Sequence, residues 1–174
     1  MIATVEQFKE FLMVDTEDTT NDAFYTKLLG RSQAEIEKYI DYPIEQSTVT
    51  DEIHDCAKII IPNQIPISDL TIKYITDFTT TPTSDETLTE NEDYFDYGTY
   101  IIFETHTEGR KRIKLSYIGG YDSASVPQPL VDAVIKLAAY SLNLNKPLEP
   151  NTETDMRMPK EIKDIINPFR KIAL

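Results

Sequence analysis

Apolar residues in the first part of the chain recur at helical spacing in two segments. Thr4 and Gln7 are spaced as a capping box, so a short helix is predicted to begin there. A second helix is predicted after a polar run, with Asn21 or Asp22 as its cap and Gly30 as a position where it could bend. The faces expected to be buried are Val5, Phe8, Phe11 and Leu12 in the first helix and Phe24, Tyr25, Leu28, Leu29, Ile36, Tyr39 and Ile40 in the second.

A β-rich insert is predicted at about residues 47–118, between two helical parts of the chain. Alternating or continuous apolar residues there, rich in β-branched and aromatic types, are typical of strands. A long polar stretch with one proline is typical of a hairpin loop. The predicted elements are strands at 49–53, 58–62 and 70–78, the hairpin loop at 79–93, a strand pair or bulged strand at 94–104, and a turn at 107–109.

The stretch from Arg110 to Asn143 predicts a strand, a glycine turn and a long helix. Apolar and polar residues alternate up to Tyr117, and Gly119-Gly120 then permits a sharp reversal. Prolines suit the first turn of the helix that follows. That helix is apolar round much of its circumference, so we expect its own domain or a neighbour to cover it. Its apolar residues are Leu130, Val131, Val134, Ile135, Leu137, Ala138, Tyr140 and Leu142.

The C-terminal segment begins with a polar, proline-containing stretch at 143–157, which predicts an exposed arm. Pro159 then opens a last helix with one apolar face. Two interpretations stay open, since this face could close the core of its own domain or could dock into the groove of a partner. The residues concerned are Ile162, Ile165, Ile166 and Phe169.

Composition restricts the class of protein. A chain of 174 residues suits a single domain, and its one cysteine, Cys56, excludes an intramolecular disulfide. No apolar run is long enough to span a membrane and no signal peptide is evident, so a soluble, cytosolic product is expected. The prediction is an α+β fold in which a bundle of about four helices carries an inserted antiparallel β-sheet region. Its parts would be N-terminal helices at 1–46, the insert at 47–118, the long helix at 119–145, and an arm with the C-terminal helix at 146–174.

The net charge of −13 comes from 30 acidic and 17 basic residues. Such a surface repels nucleic acid, because phosphate contacts need clustered Lys and Arg. The charge is uneven: residues 1–55 carry thirteen acidic against four basic residues, and residues 157–174 carry two against five. The chain could therefore stack on copies of itself or on a charged partner, although two solvated faces explain the pattern equally well.

Candidate chemical sites are few. His54 lies near Cys56, but a zinc site needs about four converging ligands. An acidic run resembles a calcium loop in charge alone, because Glu90 stands where the geometry of such a loop requires glycine. Its members are Asp85, Glu86, Glu90, Glu92 and Asp93. The basic cluster at 110–114 is predicted to pair across strands with the acidic stretch 85–96. No nucleophile, phosphate-binding or dinucleotide motif is present, so we expect neither an enzyme nor a cofactor.

Several motifs taken in order resemble the head–tail connector (adaptor) proteins of tailed bacteriophages, in a longer subgroup with a β-rich insert. Each is loosely patterned, but their order and spacing cover most of the chain. They are I-E-K-Y-I-D-Y-P-I at 36–44, P-I-S-D-L-T-I-K-Y at 66–74, D-Y through I-I-F at 93–103, I-K-L-S-Y-I-G-G-Y at 113–121, V-P-Q-P-L through L-A-A-Y at 126–140, and P-K-E-I-K-D-I-I-N-P-F-R at 159–170.

The resemblance implies a structural protein of the virion neck, made in the host cytoplasm. It would form a ring with copies of itself, expected to be a dodecamer, beneath the portal protein. The ring would extend the DNA channel and provide a platform for a stopper or tail-completion protein. Double-stranded DNA would pass through without specific binding, and no membrane would be involved.

The resemblance also assigns two candidate surfaces. The C-terminal helix would contact the portal through Met158, Pro159, Ile162, Ile165, Ile166, Phe169 and Arg170. The acidic run 85–93 would face the channel, where negative charge lets DNA slide without sticking. The alternatives are another neck component, such as a stopper or tail-completion protein, or an unrelated non-enzymatic interaction domain.

Overall fold

The computed structural model describes residues 1–55, 57–75, 86–104, 112–144 and 158–171, which form an α+β architecture as predicted. The chain divides into two compact units, one from Met1–Tyr42 with Ser123–Leu174 and one from Pro43–Asp122. The helices are α1 (Val5–Leu12), α2 (Asp22–Ile40), α3 (Gln128–Leu144) and α4 (Lys160–Ile166), the last followed by a 3-10 turn at Asn167–Phe169. The strands are β1 (Ser47–Asp55), β2 (Ile59–Ile60), β3 (Ile67–Ile75), β4 (Glu86–Thr87), β5 (Tyr94–Asp96), β6 (Ile101–Phe103) and β7 (Arg112–Gly119). Treatment of the whole chain as a single connector domain stays a prediction.

The start of the helical unit follows the sequence signals closely. The Thr4 hydroxyl accepts from the Gln7 N–H at 3.1 Å and the Gln7 side chain accepts from the Thr4 N–H at 2.9 Å, which confirms the capping box. Phe8 is fully buried and meets the ring of Tyr25 edge-on, with 5.4 Å between centroids. This aromatic pair joins α1 to α2.

One detail of the predicted N-terminal helices is wrong. Phe11 and Phe24 were expected on buried faces, yet they are 49 % and 45 % exposed. Asn21, one of the two predicted caps, is the N-cap of α2, although its side chain forms no capping hydrogen bond, and the helix runs through Gly30 without interruption. The helix is held by its buried face, so the local cost of glycine does not break it.

Helix α3 is the most buried helix of this unit. It packs against α1, α2 and α4, which cover most of its apolar circumference, while Tyr140 remains 37 % exposed. This outcome agrees with the first of the two expectations, coverage by its own domain. The buried side chains are Leu130, Val131, Ala133, Val134, Ile135, Leu137, Ala138 and Ala139.

The β unit contains two antiparallel sheets, one ordered β1-β7-β3-β4 and one ordered β2-β6-β5. Strand β7 lies at the centre of the larger sheet, with its side chains alternately buried as predicted. The strand pair predicted at 94–104 is the hairpin β5–β6. The predicted pairing of Arg112 and Lys114 with the acidic stretch is wrong, because β7 lies between β1 and β3 and faces Asp55 and Lys73 there.

Two β-bulges flank the same part of β7. On β1 the register shifts between Val49 and Glu52, and on β3 it shifts between Ser68 and Thr71. Each bulge contains an aspartate in the left-handed region, Asp51 at φ 55° and Asp69 at φ 52°. Aspartate tolerates this conformation better than most residues, because its short side chain can bond locally. The bulge on β1 decides which side chains of that strand face inward.

Several predicted features lie outside the described residues. They are the end of the predicted strand at 76–78, the first part of the hairpin loop at 79–85 with Asp85, the turn at 107–109, the basic residues 110–111, most of the arm at 145–157, and Cys56.

Candidate interaction surfaces

The C-terminal helix closes the helical unit with part of its apolar face. Ile162 and Ile166 are 3 % and 0 % exposed, and α4 packs on α3. Met158, Pro159, Ile165 and Phe169 are half-buried, and Arg170 is exposed. Of the seven residues predicted to contact a partner, Ile162 and Ile166 are therefore used as core, and the other five remain at the surface.

The residues after α4 are fixed to the end of α2. The Tyr39 hydroxyl donates to Asn167 Oδ1 at 2.8 Å, and the Arg170 guanidinium lies 5.5 Å from the centre of the Tyr39 ring. The Lys171 N–H donates to the carbonyl of Ile40 at 2.9 Å, which satisfies one of the last carbonyls of α2. The C-terminal surface is thus presented in one orientation by the rest of its unit.

The described part of the acidic run forms a tight turn before β5. Asp93 Oδ2 accepts from the Thr89 N–H at 2.8 Å, and the Asp93 N–H donates to the Thr89 carbonyl at 2.9 Å. Asp93 is half-buried, so it holds the turn together, whereas Glu86, Glu90 and Glu92 are exposed. Three of the carboxylates that were predicted to face the channel are therefore exposed to solvent.

The same turn surrounds a buried tyrosine with negative charge. Burial raises the pKa of the Tyr94 hydroxyl, and the nearby carboxylates of Glu90, Asp96 and Asp93 raise it further. The geometry therefore brings three carboxylates together at one edge of the small sheet. Glu90, Asp93 and Asp96 are separated in the sequence, but all three act on the same hydroxyl in the folded chain.

A polar cluster inside the β unit was not predicted from the sequence. The Tyr117 hydroxyl donates to Glu52 Oε2 at 2.5 Å and accepts from the Gln64 N–H at 3.2 Å. Glu52 Oε1 accepts from His54 Nε2 and, at 3.0 Å, from the Asn63 N–H. The Glu52 side chain is 8 % exposed, so these donors compensate the loss of water around a charged group.

The pKa values of Glu52 and Tyr117 shift in opposite directions. Burial raises the pKa of Glu52, but hydrogen bonds from His54, Tyr117 and the Asn63 N–H outweigh it, and the net pKa lies below the ordinary value. Burial raises the pKa of Tyr117 well above its ordinary value, and the Glu52 carboxylate adds to the effect. Tyr117 therefore stays protonated and serves as a donor.

Gln64 and the Gly119-Gly120 pair form a close junction. A Cβ on Gly120 would lie 2.6 Å from Gln64 Nε2 and 2.7 Å from the Glu45 carbonyl oxygen, and its φ is +87°. The amide of Gln64 donates to that carbonyl at 2.6 Å and accepts from Ser47 Oγ at 2.6 Å. The glycines are required here because a glutamine side chain fills the space beside the turn.

Exposed apolar side chains are found on both units. In the β unit, Tyr97 and Tyr100 stack with 4.8 Å between ring centres at the turn of the β5–β6 hairpin. In the helical unit, the end of α1 presents Phe11, Met13 and Val14, of which Met13 is 94 % exposed. Both groups place apolar side chains at the surface of their own unit.

Within the described ranges no group of three or more His, Cys, Asp and Glu side chains could hold a metal ion. None of the described helices combines the length and the apolar character needed to cross a membrane.

No protein-family model and no curated protein matches this chain. Solved structures of low sequence identity do match. A chain from the neck of an empty gene transfer agent particle, computed with C6 symmetry, is 14 % identical with a TM-score of 0.60 and covers 97 % of this chain and 89 % of that one. A chain from the virion of a native gene transfer agent particle is 14 % identical, with a TM-score of 0.61 and the same coverage. A chain from the neck of a native particle, computed with C12 symmetry, is 15 % identical, with a TM-score of 0.59 over 98 % of this chain and 89 % of that one. At this identity the comparisons establish a shared fold over nearly the whole chain.

Proposed function

We propose that this protein is a structural component of the neck of a tailed phage or phage-like particle, and specifically a head–tail connector. The observation that carries the proposal is the fold shared with chains from gene transfer agent necks, over 97 % and 98 % of this chain. The same order of motifs, from the helix end at 36–44 to the C-terminal P-F-R, independently resembles connector proteins.

In this proposal the protein assembles with copies of itself into a ring beneath the portal protein. Two of the similar chains come from necks computed with C6 and C12 symmetry, which supports a ring and is compatible with twelve copies. The ring extends the DNA channel and receives the stopper or tail-completion protein. No catalysis is required of such a component.

The remaining surface of α4 and the 3-10 turn is proposed as the portal contact. Ile165 and Phe169 supply half-buried apolar area, and Arg170 supplies an exposed charge held over Tyr39. Such a patch, small and apolar with a cationic rim, suits a protein interface. The exposed carboxylates Glu86, Glu90 and Glu92, together with Asp85 and Asp93, are proposed to face the channel, where they would repel DNA phosphates.

The four helices favour the connector over the main alternative within the neck. A stopper is expected to be dominated by a β-barrel with little helix, whereas half of this fold is a helical unit. The stopper or tail-completion assignment therefore becomes the second candidate, to be taken up if the portal does not bind.

Co-sedimentation with portal rings from the same phage tests the proposal. Removal of the C-terminal helix is a poor test, because it would expose the sites that Ile162 and Ile166 fill. The variants Phe169→Asp and Ile165→Asp instead change half-exposed residues of the full chain. Each is expected to reduce binding at least about tenfold, which corresponds to the loss of one well-packed apolar contact.

Ile53→Asp serves as the matched control, since it places the same charge on an exposed isoleucine of the β unit. Stoichiometric binding of wild type and control, lost in the two variants, supports both the function and the contact. Equal binding by all four proteins would support the connector function but would reject Ile165 and Phe169 as the portal contact. Absence of wild-type binding would reject the connector.

A further inference from the structure

The end of α1 carries an exposed apolar surface with an acidic rim, here called the acidic knob. Its apolar members are Phe11, Met13 and Val14. Its rim consists of the exposed residues Glu10, Asp15, Glu17 and Asp18. Four carboxylates beside three apolar side chains define a contact surface that favours a cationic partner.

Folding alone does not account for Met13. The residue occupies the left-handed position that ends α1, with φ 57°, where its N–H donates to the Glu10 carbonyl and the Val14 N–H donates to the Lys9 carbonyl. Glycine is the usual residue there, because a Cβ is strained in this conformation. Met13 is also 94 % exposed, so it gains nothing from packing. A partner that covers Met13 would bury this side chain and supply the packing that the fold itself does not supply.

The knob is held in a fixed shape. Lys9 is 2 % exposed, with Nζ 2.5 Å from Asp22 Oδ1 and 3.1 Å from the Thr16 carbonyl, so it ties the loop to α2. Asp15 Oδ1 accepts from the Glu17 N–H, and Asp18 Oδ1 accepts from the Thr20 N–H, each at 3.0 Å. A preorganised loop loses little conformational entropy when it binds.

The outer face of α2 has the complementary character and is here called the basic ridge. Phe24, Lys27, Arg31, Ala34 and Lys38 follow the spacing of 3, 4, 3 and 4 residues that places them along one line of a helix. All five are exposed. In the described part of the chain none of the three cations forms an ion pair, although the whole protein carries a net charge of −13.

The ridge also has a low point that a protruding side chain could enter. Gly30 lies beside the line, and a Cβ at this position would meet nothing within 4 Å. The glycine therefore has no packing role among the described residues, and in a helix interior it costs about 1 kcal/mol relative to alanine. With Ala34 one turn further, it leaves the backbone of α2 open to close approach.

We infer that the acidic knob of one copy docks on the basic ridge of the next copy, and that this contact joins neighbours in the ring. A second copy is the occupant because both complementary surfaces belong to the same chain. The contact is heterologous, so each copy uses its knob on one neighbour and its ridge on the other, and the series forms a ring where the rotation between copies closes. The inference rests on the ring of the proposed function.

Chemical cross-linking in a Cys56→Ser background tests the contact. One protein carries Met13→Cys and a second carries Ala34→Cys, both at exposed positions. Their mixture, treated with a short bis-maleimide, is expected to give heterodimers about tenfold faster than Met13→Cys mixed with Asn143→Cys, an exposed control on α3. A chain with both Met13→Cys and Ala34→Cys is expected to give a ladder of oligomers.

A charge reversal separates docking from random collision. Glu17→Lys on the knob protein is expected to slow the cross-linking severalfold, and Lys27→Glu on the ridge protein is expected to restore it. A rate equal to the Asn143→Cys control, or a reversal without rescue, would overturn the inference. Portal co-sedimentation keeps the two proposals distinct: portal binding without the cross-link rejects only this contact, and the cross-link without portal binding rejects only the connector.

Discussion

The Tyr117 hydroxyl donates a 2.5 Å hydrogen bond to Glu52 Oε2 across the β1–β7 strand pair of the larger sheet. Tyr117 is 2 % exposed, and its oxygen also accepts the N–H of Gln64, which packs against the Gly119-Gly120 turn. One tyrosine thus links the carboxylate on β1 to the turn that ends β7. The glycine turn and the buried acid are parts of the same polar structure.

Replacement of Tyr117 by phenylalanine is expected to destabilise the fold by about 1.5–3 kcal/mol, since it removes a hydrogen bond to a charged group and leaves the Gln64 N–H without its acceptor. Urea unfolding at pH 7 would measure the change. Tyr100→Phe, which removes a hydroxyl from an exposed ring, should stay within about 0.5 kcal/mol of wild type. Equal effects of the two variants would mean that the buried hydroxyl contributes nothing.

Acid stability should depend on Glu52. Its pKa is lowered in the folded state, so its contribution is present above the unfolded pKa of about 4.3 and is lost as the pH falls through the folded value. The loss of unfolding free energy between about pH 5 and pH 2 should therefore be smaller in Glu52→Gln than in wild type. Because the other carboxylates titrate in both proteins, the difference between the two curves isolates Glu52. Parallel curves would contradict the assignment.

Stability at alkaline pH should depend on Tyr117, whose pKa shifts in the direction opposite to that of Glu52. Its pKa is raised in the folded state, so its contribution is present below the unfolded pKa of about 10 and is lost as the pH rises above it. Wild type should lose unfolding free energy between about pH 9 and pH 11 more steeply than Tyr117→Phe. Urea titrations at several alkaline pH values would measure this slope, and equal slopes would show that Tyr117 ionises as easily when folded as when unfolded.

The sequence predicted the strand that carries Glu52 but not the side on which Glu52 lies. Simple alternation from Val49 places Asp51 and Ile53 on the same face as Val49. The bulge adds one residue, so Glu52 and His54 lie opposite the buried Leu115 and Ile113, while Ile53 is 54 % exposed. The signal was an aspartate able to adopt positive φ, which is too common a residue to locate a bulge by itself.

The helical unit was easier to predict, because its order depends on local signals. The capping box at Thr4 and the apolar spacing of α3 were sufficient to locate those helices. The outward direction of Phe11 and Phe24 was missed, since helical spacing identifies a face but does not decide where that face ends. The sequence could not show that the C-terminal helix is half-buried. One part of its apolar face closes the core and the other part stays at the surface, so the two interpretations, core and docking surface, each apply to part of the same face.

Two glycines should respond oppositely to alanine. Gly120→Ala places a Cβ against the Glu45 carbonyl at positive φ, so a loss of more than about 2 kcal/mol is expected. Gly30→Ala places a Cβ in open space within a helix, so a gain of about 1 kcal/mol is expected. Thermal and urea unfolding of both variants would measure these changes. A destabilised Gly30→Ala would reveal a packing role for Gly30.

Lys9 and Asp22 should be energetically coupled. Lys9→Met leaves Asp22 without its ion-pair partner, but Asp22 is 36 % exposed and partly hydrated. The expected loss is therefore below the 3–5 kcal/mol, roughly, that breaking a fully buried pair costs. A double-mutant cycle with Asp22→Asn should give a coupling energy of about 0.5–3 kcal/mol. A coupling energy of zero would mean that burial of the Lys9 stem, and not the ion pair, holds the loop.

Met13→Gly should separate folding from assembly. Glycine relieves the strained left-handed position, which for residues with a Cβ costs about 1–2 kcal/mol, and a side chain that is 94 % exposed gives up no packing. The isolated protein should therefore become more stable. The same substitution removes the most exposed apolar side chain of the acidic knob, so docking on the basic ridge should weaken.

Both effects can be measured on one pair of proteins. Urea unfolding reports the gain, and Val14→Cys provides a thiol on the knob for cross-linking to Ala34→Cys, with and without Met13→Gly. Higher stability with slower cross-linking is the expected pair of results, and faster or unchanged cross-linking would remove Met13 from the contact. A purely structural role for Met13 predicts the reverse, namely lower stability on substitution, because the side chain would then be supporting its own fold and not the fold of a neighbour.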